Sequence, residues 1–96
     1  MYYLLIYEYV ENAVEKRAPF RDAHLGLARE WVETDRLILG GAFADPVDGA
    51  VLVFKAESAA AVEEFVRQDP YVANGLVTAW RIRPWTLVVG SALSRI

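Results

Sequence analysis

Cysteine is absent from this 96-residue chain, and histidine occurs once, at position 24. The first absence excludes disulfides, thiolate nucleophiles and Cys-ligated zinc or iron–sulfur centres; the second excludes a histidine cluster for a transition metal. No bound metal or cofactor is expected. A strong charge of one sign is also missing: 10 Lys and Arg stand against 13 Asp and Glu, a net charge of −3. The basic residues are scattered, unlike the stripe that neutralises phosphates, so nucleic acid is not an expected partner. Long apolar runs are lacking too. Met1-Tyr2-Tyr3-Leu4-Leu5-Ile6 has no basic stretch beside it and is far shorter than the roughly 20 residues of a spanning helix. Leu87-Val88-Val89 is shorter still. No membrane association and a cytoplasmic location are therefore the expectation.

What is present is apolar. A hydrophobic content of 55% over 96 residues suits one domain, residues 1–96, that buries a core without staples. Tyr2 to Val10 is apolar on both alternating faces, as in a central strand covered from two sides. Asn12 to Lys16 reads as a short polar approach, and Pro19 suits the first turn of a helix running to about Thr34. That helix buries a stripe of Phe20, His24, Leu27, Ala28 and Trp31. Leu37 to Ala44 is a second strand with Gly40-Gly41 inside it, where a glycine pair suggests a bulge or the close approach of another group. Asp45-Pro46-Val47-Asp48-Gly49 is turn chemistry, which makes Ala50 to Lys55 the partner of an antiparallel hairpin. Ser58 caps a second helix ending at Gln68, where Asp69-Pro70 stops it. Asn74-Gly75 turns the chain into a fourth strand, Leu76 to Pro84, and Thr86 to Val89 is a candidate edge strand.

The order strand, helix, strand, strand, helix, strand is that of a ferredoxin-like α+β fold, with a four-stranded antiparallel sheet and two helices on one face. The uncovered face would then be apolar, because the first strand has no polar side and the next two carry little charge. A homodimer with sheets packed face to face is the expected cover, the alternative being a tail folded back over part of the sheet.

Two residues stand out as chemistry. An imidazole titrates near neutral pH, and a neighbouring carboxylate can fix its tautomer, so His24 and Asp69 are the candidate catalytic residues. The end of the second helix lies near the first helix in this fold, which would bring them together across 45 residues. Each has an ordinary structural role open to it: His24 as a core residue bonded to a carbonyl, Asp69 as a helix stop. Arg21, one turn before His24, is a candidate for holding an anionic group or a solvated surface charge. Tyr7 and Tyr71 are candidate aromatic contacts to a flat substrate, though the face shared by Tyr3, Tyr7 and Tyr9 also suits packing. Gly40-Gly41 has neither GxxxxGK(S/T) nor GxGxxG spacing, and no GxSxG occurs, so nucleotide binding and a serine nucleophile lack support.

Taken in order, Arg21-x-x-His24-Leu25, Gly41 with the 45–49 turn, Asp69-Pro70-Tyr71-Val72 with Gly75-Leu76, and Ile82-Arg83-Pro84-Trp85 resemble the YciI-like family (YCII-related domain) over nearly the whole chain. The resemblance implies a ferredoxin-like fold that dimerises into an α+β barrel, with an active site on a His–Asp pair, here His24 and Asp69. Some relatives resemble dehydrochlorinases of chlorinated hydroquinones, and muconolactone isomerases share the barrel. Many relatives have an acidic residue where this chain has Arg81. The reading that follows is a small cofactor-free lyase or isomerase acting on a cyclic or aromatic substrate. Its alternatives are a non-catalytic module binding a small ligand or a protein, and cofactor-independent oxygenation.

Overall fold

Burial alternates along strand β1 (Tyr2–Tyr9): Tyr3, Leu5 and Tyr7 are buried, while Tyr2, Leu4 and Ile6 on the other face are half-covered. A strand with two apolar faces belongs inside a sheet. The computed structural model, which describes residues 1–96, places it there. With β2 (Leu37–Ala42), β3 (Gly49–Lys55) and β4 (Val77–Trp85), it forms an antiparallel sheet of order β2-β3-β1-β4. Register sets the two faces. Tyr3, Leu5 and Tyr7 oppose Phe54, Leu52 and Ala50 on the helix side, and Leu4 and Ile6 oppose Val53 and Val51 on the open side.

Helix α2 (Arg21–Glu33) and helix α3 (Ala59–Gln68) cover the first of these faces. Their contact with the sheet is aromatic: Trp31 meets Phe54 and Phe65 edge-on at 5.7 and 5.3 Å, and Phe54 and Phe65 lie 5.1 Å apart. Burial of each such side chain contributes about 1.5–3 kcal/mol. This cluster fixes the separation of the helices, and with it the position of anything carried one or two turns from Trp31 or Phe65. Ser58 caps α3 as expected, its hydroxyl accepting from the Ala61 N–H.

Four local expectations are corrected. Ala13–Arg17 is a short helix, α1, not a polar approach, and Pro19 lies in a 3₁₀ turn (Ala18–Phe20) that joins it to α2. The run Ala13-Val14-Glu15-Lys16-Arg17 contains good helix formers, and the tighter turn accommodates the proline. The second strand ends at Ala42, two residues early. Pro70–Ala73 is a one-turn helix, α4, where only a stop was expected. Thr86 to Val89 forms no strand: Val88 and Val89 are exposed, and the tail ends in a 3₁₀ turn (Leu93–Arg95). Leu93 and Ile96 share a hollow with Tyr2 and Trp85 at one end of the open sheet face, which leaves Leu39, 62% exposed, at the other.

Candidate active site

The residue that stops α3 also starts α4. Asp69 adopts an extended backbone (φ −74°, ψ 118°), and its Oδ1 accepts from the Tyr71 N–H at 3.0 Å, with Pro70 in the first helical position. The same carboxylate is completely buried, an environment it tolerates only if fully hydrogen-bonded. Two further donors meet that demand. The Tyr7 hydroxyl donates to Oδ2 at 2.7 Å, and His24 Nδ1 lies 2.7 Å from Oδ1. With three donors around it the group fits an ionised carboxylate, which only accepts.

That arrangement sets the histidine tautomer. Because Asp69 accepts, Nδ1 carries the hydrogen, and Nε2, which has no partner in the protein, keeps its lone pair. The ring cannot turn freely. Tyr71 stacks on it at 3.9 Å with an interplanar angle of 5°, and the Phe65 ring packs edge-on at 6.5 Å. His24 and Tyr71 line a cavity of about 370 Å³ between α2 and the β2–β3 ribbon, within the range of small-molecule sites. Its floor includes Leu52 and Gly40, and a Cβ on Gly40 would come within 3.1 Å of the Leu52 side chain. The close approach that a glycine suggested there is thus to the Leu52 side chain on the neighbouring strand.

The structure places four of the five candidate residues together at the cavity or behind it: His24, Asp69, Arg21 and Tyr71. Tyr7 is differently placed. It is 1% exposed and does not line the cavity; its hydroxyl holds Asp69 from the core side, where a substrate contact was expected. Alternation along a strand identifies the face a side chain occupies, but not whether it looks into a cavity or into packing. Two cationic cavity residues escaped the sequence reading, Arg17 and Arg29, whereas Tyr9 belongs to the strand-one tyrosine face that was open to either packing or a pocket. The helix-forming composition of residues 13–17, four residues before Arg21, was the available signal for Arg17.

Burial, then the Asp69 charge and the hydrogen bond to it, push the Tyr7 hydroxyl far above the usual phenol range, so it stays a donor. Burial also raises Tyr9 and Tyr71; Arg17 opposes the rise at Tyr9, and Arg17 and Arg21 oppose it at Tyr71. A consequence for stability follows. In the unfolded chain Tyr7 ionises near pH 10, whereas folded it keeps its proton well above that, so its stabilisation is complete below about pH 10 and declines above it by about 1.4 kcal/mol per pH unit. Tyr7→Phe is expected to be less stable at neutral pH but to lose stability less steeply above pH ~10. Urea unfolding at a series of alkaline pH values checks this, and equal slopes for both proteins would refute it.

A ferredoxin-like α+β domain with a buried carboxylate–imidazole pair opening into a small cavity is the class defined by this fold and site. Within it, the chain belongs to the YCII-related domain family, whose model matches residues 1–86. A Haemophilus influenzae protein described as uncharacterized is 27% identical to it, over 92% of this chain and 99% of the relative. Among solved structures, 5-chloro-2-hydroxyhydroquinone dehydrochlorinase (TftG) from Burkholderia phenoliruptrix, in complex with 2,5-dihydroxybenzoquinone, superposes with a TM-score of 0.78. It is 23% identical, and the match covers 90% of this chain and 94% of the dehydrochlorinase. That likeness bears on the fold.

Proposed function

We propose that this protein is a small cofactor-free enzyme in which His24 moves a proton on a cyclic or aromatic substrate and Asp69 positions and polarises the imidazole. The observation that carries the reading is the 2.7 Å Nδ1–Asp69 contact, which leaves an unpartnered Nε2 on a residue lining the cavity. In an elimination on a hydroxylated ring, the substrate reacts as its keto tautomer, in which the chlorine-bearing carbon is sp³. Nε2 takes the proton of a ring hydroxyl, the O–H pair forms a carbonyl, the ring double bond shifts to the chlorine-bearing carbon, and chloride leaves with the C–Cl pair to give a quinone. In an isomerisation, Nε2 takes a proton from one ring carbon and the imidazolium returns it to a second. Either way the imidazolium forms against the Asp69 carboxylate, which lowers the barrier as the charge develops. A positioned base supplies about 10²–10⁴-fold, enough for an activated ring.

The dehydrochlorinase neighbour and its six-membered ring ligand make chlorinated hydroxyhydroquinones the first substrates to test. Chloride release above the buffer rate supports the elimination, and solvent deuterium entering recovered substrate supports the isomerisation. Neither appearing across such a panel would sink the catalytic reading. Most of the cavity lining is apolar, which favours a second reading, a ligand-binding module without turnover. Ligand binding with no chemical change, equally strong in His24→Ala, would select it.

The open sheet face supports a homodimer. Leu4, Ile6 and Val51 lie on it, with Leu39 at the β2 edge and Arg81 and Arg83 on β4 opposite Ile6 and Leu4, and an apolar centre rimmed by polar groups is the pattern of a protein–protein interface. A face-to-face dimer is expected in sedimentation at micromolar concentration; a monomer would remove it.

A further inference from the structure

The cavity is cationic in a chain that is not. Arg17, Arg21 and Arg29 line it, whereas none of the chain's 13 acidic residues does. Nor is any of these arginines within ion-pair distance of a carboxylate anywhere in the protein; the only arginine with such partners is Arg67, on α3. Arg17 is half-buried and Arg21 and Arg29 are exposed; with no carboxylate to displace, an anion arriving between them gains charge-assisted hydrogen bonds that a guanidinium fork makes bidentate.

Position narrows the choice among the three. Arg17 ends α1 and Arg21 begins α2, four residues on, one turn before His24. Arg17 acts on the phenol of Tyr9, and both Arg17 and Arg21 act on that of Tyr71, whose ring is stacked on His24. These two cations thus gather at the histidine end of the cavity. Arg29 is eight residues further along α2, about 12 Å by helical rise, beyond the reach of the same small group. The rest of the lining includes Leu25, Ala28, Leu52 and Gly40, an apolar surface that accepts a flat apolar body.

We infer that the cavity takes a small organic anion, a carboxylate or similarly acidic oxygen on an apolar cyclic body, with Arg17 and Arg21 gripping the anionic group beside His24. The inference rests on the proposed proton-transfer site and names the substrate class it serves. It assigns Arg17 and Arg21 to specificity: they select the anion and set which ring edge faces Nε2.

Benzoate and benzamide, nearly equal in shape and differing in charge, form the test. Each is titrated into the ¹⁵N-labelled protein at low ionic strength, following backbone amides of residues 17–28. Benzoate is expected to shift them saturably and to bind roughly tenfold or more tighter than benzamide. Arg17→Gln with Arg21→Gln is expected to abolish that preference while benzamide binding persists; Arg67→Gln, equal in net charge to either single change, should retain it. Equal affinity for both probes, no saturable benzoate shift, or a preference surviving the double substitution overturns the inference. Because no turnover is read, its failure is separable from that of the catalytic reading. Benzoate selectivity in a protein that transforms nothing keeps the anion site and drops catalysis. His24-dependent turnover without anion preference does the reverse.

Discussion

His24→Ala is expected to lower turnover of any responsive substrate by about 10²–10⁴-fold while the protein remains folded. The size follows from what the imidazole supplies: a lone pair on Nε2, held in orientation by Asp69 on one edge and by the Tyr71 stack on its face. Folding should survive because Asp69 keeps two of its three donors, the Tyr7 hydroxyl and the Tyr71 N–H. The truncation also opens space at the cavity wall. Added imidazole should therefore restore part of the lost rate, in proportion to its unprotonated fraction, a result that damage to the fold would not give. Circular dichroism and urea unfolding establish that the variant is folded, and the rate is then read on the substrate found for the wild type. A rate within about threefold of wild type, well short of the loss a general base implies, would take His24 out of the chemistry.

Much of this site was legible in the sequence, and the rest has identifiable physical reasons for being hidden. Strand β1 announced its central place through two apolar faces, and Ser58, Asp69-Pro70 and Asn74-Gly75 marked the edges of their elements by local backbone chemistry. His24 and Asp69 are 45 residues apart, and their 2.7 Å contact depends on how the Trp31–Phe54–Phe65 cluster spaces α2 and α3; topology suggested nearness, but only packing brings an imidazole to hydrogen-bonding distance. Arg17 was hidden because a five-residue helix carries too little periodicity to register against a proline two residues later. Tyr7 was placed on the correct face and given the wrong neighbour, since period-2 alternation is blind to depth.

Asp69 carries the largest expected effect on stability. In Asp69→Ala three donors lose their acceptor at once. The His24 ring, 12% exposed, can still find water. The Tyr7 hydroxyl cannot, and an orphaned buried donor costs about 1–3 kcal/mol. Loss of the α4 cap adds about 1 kcal/mol. Together with the space left by the carboxylate, a loss of about 3–5 kcal/mol is expected, a large share of a typical 5–15 kcal/mol. Asp69→Asn should behave differently. Oδ1 already accepts from the Tyr71 N–H, so the amide orients with its oxygen there, still accepting from His24 Nδ1, and turns its NH₂ toward the Tyr7 hydroxyl, which can accept. The cap and tautomer are kept; the charge facing the imidazolium is lost, and the Tyr7 hydroxyl exchanges the bond it donated for one it accepts. Urea unfolding should thus place Asp69→Asn well above Asp69→Ala, while its turnover still falls. Adding Tyr7→Phe to Asp69→Ala should recover about 1–2 kcal/mol, because the orphaned hydroxyl is gone. If Asp69→Ala unfolds within about 1 kcal/mol of wild type, less than a single orphaned donor implies, or if Tyr7→Phe adds its full cost to it, the three residues do not act as one buried network.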